Sequence, residues 1–332
     1  MSLAPAPAGD EVHVAVGILF NPQGEVLLTR RPLHVHQGGL WEFPGGKVEA
    51  AETIQAALQR ELHEELGITV LSARPLIRIR HAYPDKRVLL DVWRIEHYRG
   101  EPQSLEAQPL CWAAPDALNR LDFPAADVPI IDALRLPSLY LITGEPADRP
   151  AVFLQRLEQA LERGLRLLQL RARQLPEPAL LGLYRQAQAL TRRYGATLLL
   201  NGSPAQALAV QADGVHLSAP RLLALQSRPL SAGRWVAASC HNEAELRHAC
   251  RLGLDFVVVS PVSHTRSHPD TPPLGWKGLQ ALTEMANLPV YALGGMTPAD
   301  LERAWRHGAQ GIAAIRSLWD EVSTARTERN KP

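Results

Sequence analysis

The chain has 332 residues, room for about two domains, and its 46% hydrophobic and 21% charged residues are the balance of an ordinary soluble globular protein. A formal charge of +1 gives no electrostatic reason for binding nucleic acid polymers or anionic membranes. With neither a signal-peptide core nor an apolar run near about 18 residues, the sequence predicts a cytoplasmic protein. Cys111, Cys240 and Cys250 are scattered without a C-x-x-C pair, so neither a disulfide framework nor a cysteine zinc site is expected, and the twelve histidines contain no H-E-x-x-H.

In chain order, residues 12–20 predict a strand, Asn21-Pro22-Gln23-Gly24 a turn and residues 25–29 a return strand, together a hairpin. Arg30-Arg31 leads into a loop that ends at Pro44-Gly45-Gly46, a backbone able to bend sharply and offer a bare carbonyl. From Thr53, Ile54, Leu58, Leu62 and Leu66 recur every four residues and Gly67 supplies a left-handed stop, which predicts a helix with one apolar face. Its other face carries Glu61 and Glu65, one turn apart, with Glu64 adjacent. Carboxylates gathered this way repel each other unless a hard cation such as Mg2+ or Mn2+ is shared among them. Arg60 can pair with Glu52 and steady the preceding loop. Strands follow around residues 72–80, 87–94 and 110–112, and Ile130, Ile131 and Leu134 predict a closing helix after Phe123-Pro124.

The segment from Gly46 to Ile68 matches every fixed position of G-x5-E-x7-R-E-U-x-E-E-x-G-U, where U is a bulky apolar residue, and so resembles the Nudix box. Its neighbourhood, residues 40–49, is similar to the MutT subgroup, which hydrolyses oxidised purine nucleoside triphosphates to monophosphate and pyrophosphate. The resemblance implies an α/β/α sandwich over residues 1–136 and a role in nucleotide-pool sanitation and DNA repair. It implies that Gly46, Glu61, Glu64, Glu65 and Glu106 hold Mg2+ (or Mn2+), with Glu61 or Glu106 as the catalytic glutamate. Arg31, Glu42, Phe43 and Asp127 would contact the nucleoside triphosphate. Two positions depart from the subgroup. Ala51 replaces a glycine, a change bearing on loop shape rather than metal binding. Asp127 replaces a purine-reading asparagine, so an amide that donates and accepts becomes a carboxyl that, once ionised, only accepts.

Beyond residue 136, strand patterns at 139–143, 166–170, 197–201, 214–217, 235–239, 256–260, 290–292 and 311–315 alternate with helix-length segments such as 179–193 and 243–252. That repetition predicts a (β/α)8 barrel over residues 137–332 with functional groups just after the strands. The strand ends, among them Gln169-Leu170-Arg171-Ala172-Arg173, Ser239-Cys240-His241-Asn242 and Leu293-Gly294-Gly295-Met296, resemble the thiamine-phosphate synthase and thiazole tautomerase superfamily. Gly294 and Gly295 would then cradle a phosphate, as of a thiazole or thiamine phosphate. Gly202 and Arg221 stand where the synthases carry metal-binding aspartates, while Arg173 and His268 stand where they carry lysines, so the resemblance implies a barrel without synthase activity. The tautomerase branch uses a histidine at the position of His241 as a proton shuttle. The alternatives left open are a bifunctional enzyme with synthase or tautomerase activity, and a nucleotide sensor with a ligand-binding barrel.

Overall fold

The computed structural model describes residues 11–145, 149–265 and 272–319. The described residues fall into two compact units, the first running up to Arg135 together with Glu284–Leu288, and the second comprising the remainder from Leu136.

The first unit contains β1 (Glu11–Ile18), β2 (Val26–Arg30), β3 (Trp41–Glu42), β4 (Gly45–Lys47), α1 (Ile54–Leu66), β5 (Thr69–Ala82), β6 (Arg87–Arg99), β7 (Leu110–Ala113) and α2 (Val128–Arg135). A mixed four-stranded sheet runs β4-β1-β6-β5, with β1 and β6 parallel, and a small antiparallel sheet runs β3-β2-β7. The predicted hairpin is therefore corrected. The turn forms, with an isolated bridge between Phe20 and Val26, but β1 and β2 then diverge into different sheets. Local alternation shows that both segments are strands; it carries no information about the partners, which for β1 are β4 and, far along the chain, β6.

Alternation along β1 sets the layers. Val16 and Ile18 pack on one side with Ile79, Val92 and the closing-helix residues Ile130 and Ile131. Ala15 packs on the other with Leu58, Leu62 and Leu66 of α1. A sheet covered by a helix on each face is the predicted α/β/α sandwich. Each of the three leucines of α1 is 0–1% exposed, and burial of each contributes about 1.5–3 kcal/mol to docking the helix.

In the second unit eight parallel strands close into a barrel: β8 (Leu139–Ile142), β9 (Leu167–Leu170), β10 (Thr197–Asn201), β11 (Gly214–Leu217), β12 (Trp235–Cys240), β13 (Phe256–Val259), β14 (Val290–Leu293) and β15 (Gly311–Ala314). Each is followed by a helix, in turn α3 (Pro150–Glu162), α4 (Glu177–Arg193), α5 (Pro204–Ala209), α6 (Ala219–Leu223), α7 (Glu243–Arg251), α8 (Gly275–Thr283), α9 (Leu301–Arg306) and α10 (Arg316–Trp319). Tyr140, Leu199, Ala237, Phe256, Val258 and Tyr291 belong to one buried cluster, so the interior is a packed core and ligand space is confined to a strand-end mouth. Among the described residues no helix is long and apolar enough to cross a membrane.

Candidate active site

The first candidate site lies in the first unit, around α1 and β4. Thr53 caps α1 by accepting the Ala56 N–H, and Gly67 ends it at φ 70°, donating its N–H to the His63 carbonyl. The loop before α1 is tied down by Arg60, whose Nε and Nη2 donate to the two Glu52 oxygens at 3.0 and 2.9 Å and whose Nη2 also reaches the Lys47 carbonyl at 3.0 Å. That bond lowers the Glu52 carboxyl below its ordinary value. Ala51, in this loop, has φ 65°, the left-handed conformation that a glycine would accept without strain.

The helix glutamates do not all point the same way. Glu61 and Glu65 face β4, whereas Glu64 is exposed and lies 3.3 Å from Arg60. A Cβ at Gly46 would meet the Glu61 carboxyl carbon at 2.2 Å, so only glycine lets the strand and the carboxylate approach this closely. Glu65 accepts the Gly45 N–H at 3.1 Å. Burial pushes the Glu65 carboxyl up to about 8, against that hydrogen bond, and the nearby charges of Glu42, Glu106 and Glu61 push in the same upward direction. Glu106, exposed on the loop before β7 and accepting from Gln108 at 3.1 Å, is thus within electrostatic reach of the helix. Among the described residues no three His, Cys, Asp or Glu side chains are gathered into a ready cage for a metal ion. The donor set nevertheless suits a hard divalent cation, because it offers only oxygens and its mutual repulsion would be relieved by positive charge.

Beside this acidic ridge lies a cavity of about 260 Å3 lined by Arg31, Glu42, Phe43, Gly45, Gly46 and Asp127, among others. The loop after β2, β3 and the segment before α2 thus bring together all four sequence-predicted nucleotide contacts. Arg31 and Glu42 form a close ion pair, and Phe43 stacks on Phe123 with ring centroids 5.5 Å apart. Asp127 is 8% exposed, and burial, reinforced by the Glu42 charge, pushes its carboxyl up to about 7, the Arg31 charge opposing. Near neutrality it is therefore part protonated and able to donate. Tyr83 and Lys86, which the sequence did not single out, line the same cavity from the β5–β6 turn, and so does His36 of the loop before β3. Tyr83 makes edge contacts with His36 and His81, a ring cluster that no linear motif signals.

The mouth of the barrel holds a larger cavity, about 820 Å3, with Arg171, Arg173, His241, Gly294, Gly295 and Arg316 in its lining. Gly294 and Gly295 have φ 112° and 69°. Among the described residues that line it there is no Asp or Glu, and neither Gly202 nor Arg221 lines it. His268 lies outside the described residues. His241 follows β12, and its Nδ1 lies 2.7 Å from the Ser260 carbonyl. A carbonyl only accepts, so in the neutral ring Nδ1 carries the hydrogen and Nε2 keeps its lone pair.

Residues 139–318 match the thiamine monophosphate synthase family, TMP-TENI, and residues 15–133 match the NUDIX domain. The chain belongs to both families. Its Nudix part is 39% identical over 125 residues to the 8-oxo-dGTP diphosphatase of Escherichia coli, a match covering 38% of this chain and 97% of that one. Its TMP-TENI part is 33% identical over 196 residues to the thiamine-phosphate synthase of Thermus thermophilus, covering 58% of this chain and 95% of that one. Among solved structures, thiamine phosphate pyrophosphorylase from Pyrococcus furiosus is 28% identical, covering 54% of this chain and 85% of that one with a TM-score of 0.46. The Nudix domain supports a hydrolase acting on nucleotide diphosphate bonds.

Proposed function

We propose that the Nudix domain hydrolyses oxidised purine nucleoside triphosphates such as 8-oxo-dGTP to monophosphate and pyrophosphate, cleansing the nucleotide pool. The observation that carries this reading is the junction of the cavity of about 260 Å3 with the acidic face of α1 at Gly45-Gly46. Base and ribose would enter between Phe43, Arg31 and Asp127, with the phosphates extending over Glu61 and Glu65. The Gly46 carbonyl with Glu61, Glu64, Glu65 and Glu106 would hold Mg2+. That ion, when bound, would neutralise phosphate charge and acidify water. Glu61 or Glu106 takes the proton of the attacking water, whose oxygen joins phosphorus as the bond to pyrophosphate breaks. Arg60 contributes by fixing the loop around Glu52, and Glu61 itself, in place. The test is product analysis with 8-oxo-dGTP: equal amounts of monophosphate and pyrophosphate are expected, and release of orthophosphate would contradict the assignment.

A second reading concerns the TMP-TENI domain and rests on the His241 tautomer. Nε2, which keeps its lone pair in the neutral ring, on the rim of a cavity whose described lining carries Arg171, Arg173 and Arg316 suits transfer of a proton on a phosphorylated ligand, such as a thiazole phosphate held at Gly294 and Gly295. Gly202 and Arg221, standing where the synthases carry metal-binding aspartates, argue against a metal-assisted diphosphate displacement.

A further inference from the structure

We propose that five side chains across the barrel floor form a hydrogen-bond relay with a single sense, in which Tyr140 and His216 are positioning residues that aim the Ser239 hydroxyl hydrogen at the ligand. The links are Asn201 Nδ2 to Gln169 Oε1 at 2.9 Å, Gln169 Nε2 to the Tyr140 hydroxyl at 3.1 Å, that hydroxyl to His216 Nδ1 at 3.2 Å, and His216 Nε2 to Ser239 Oγ at 2.9 Å. Tyr140, Gln169 and His216 are 0–1% exposed, so these bonds do not compete with water. Asn201 and Ser239 stand at the two ends and line the cavity.

Counting hydrogens fixes the direction. Gln169 donates to the Tyr140 oxygen, so the single hydroxyl hydrogen of Tyr140 is free to go to His216 Nδ1. Nδ1 then accepts, and the neutral ring carries its hydrogen on Nε2, which donates to Ser239. The Ser239 oxygen is occupied as an acceptor, and its own hydrogen is left for the cavity. Burial pushes the His216 imidazole down to about 3, which keeps the ring neutral and removes the doubly protonated state that would break the sequence. The opposite sense would reverse every link at once, including both amides, and would place the hydrogen of His216 on Nδ1. The tautomer of one buried histidine therefore reports the whole relay.

The consequence is chemical. Ser239 lies two residues before His241 at the end of β12, so a hydrogen-bond donor stands beside a base. Such a pair fits a ligand whose atom facing Ser239 is a carbonyl, carboxylate or unprotonated ring nitrogen that gains negative charge as His241 removes a proton. This consequence rests on the proton-transfer reading of the barrel, whereas the relay itself does not.

The experiment is nitrogen NMR on the full, ligand-free chain with isotopically labelled histidine, the His216 ring being assigned by the signals that alone change in Tyr140→Phe. The relay predicts the Nε2–H tautomer, with Nδ1 as a hydrogen-bonded acceptor. In Tyr140→Phe, which keeps the ring and loses the hydroxyl, the Nδ1 resonance moves downfield to the position of an unbonded acceptor nitrogen. A His216 found as the Nδ1–H tautomer, or no histidine resonance moving in Tyr140→Phe, overturns the proposal. Failure of the barrel to move protons on a thiazole phosphate while the tautomer is as predicted overturns only the reading in which it would serve.

Discussion

Asp127→Asn separates what burial does at the base pocket from what charge does. The wild-type carboxyl is raised from 3.8 to about 7, so its folded pKa lies above its unfolded one. Its stabilising contribution is then complete below the unfolded value and is lost as pH rises toward about 7, because the native state must ionise a group that the unfolded chain ionises freely. Three units correspond to roughly 4 kcal/mol at the alkaline limit, an upper bound for this buried group beside Glu42 and Arg31. Asparagine removes that penalty. Hydrogen exchange in the β6 core should show the variant gaining stability over wild type at pH 8, and little or no gain at pH 4. Catalysis follows the same titration. A neutral Asp127 donates to the base and an ionised one cannot, a mismatch costing about 1–3 kcal/mol, or roughly five- to 150-fold. The assay is the ratio of kcat/KM for 8-oxo-dGTP over dGTP across pH, in which the ionisation of the triphosphate cancels. The wild-type ratio should fall above pH 7, while that of Asp127→Asn stays level and exceeds it at pH 8. Parallel profiles, or equal ratios at pH 8, would refute the protonation argument.

Other outcomes follow from the same geometry. Glu65→Gln should lower metal-dependent triphosphate hydrolysis by about a hundredfold or more with unfolding midpoints retained; unchanged turnover at saturating Mg2+ would remove Glu65 from the ligand set. Ala51→Gly should stabilise the first unit by about 1 kcal/mol by relieving the left-handed φ, measured by urea denaturation, and a loss of stability would show that the loop is not strained. The TMP-TENI domain should bind a thiazole phosphate in calorimetry yet form no thiamine phosphate from it and a pyrimidine diphosphate with Mg2+, since no carboxylate lines its described cavity; robust condensation would show that the clamp is made elsewhere.

Much of this was legible in the sequence because it is periodic or fixed by spacing. The four-residue recurrence of Ile54, Leu58, Leu62 and Leu66 with Gly67 as a stop defines α1 to within its caps. The eight barrel strands could be read because each is a short apolar run followed by a helix-length segment. Partner choice could not be read. Val12 to Ile18 alternates equally well beside β2 or β6, and only closure of the sheet places it beside β6. Side-chain convergence was likewise hidden: Tyr83 and Lys86 reach the base pocket from a turn that carries no motif, and Tyr140 and His216 look like ordinary strand residues until the barrel closes around them. The Asp127 substitution was visible, but its protonation depends on burial, which no spacing reveals.

The central claim is that the Nudix domain is a metal-dependent nucleoside triphosphate hydrolase, and it is tested most directly by pyrophosphate release from a panel of canonical and oxidised nucleoside triphosphates, with and without Mg2+. The geometry predicts release that requires the metal, is greatest for an 8-oxopurine near or below neutral pH, and collapses in Glu65→Gln. Release that is absent for every triphosphate, or equal with and without metal, would contradict it.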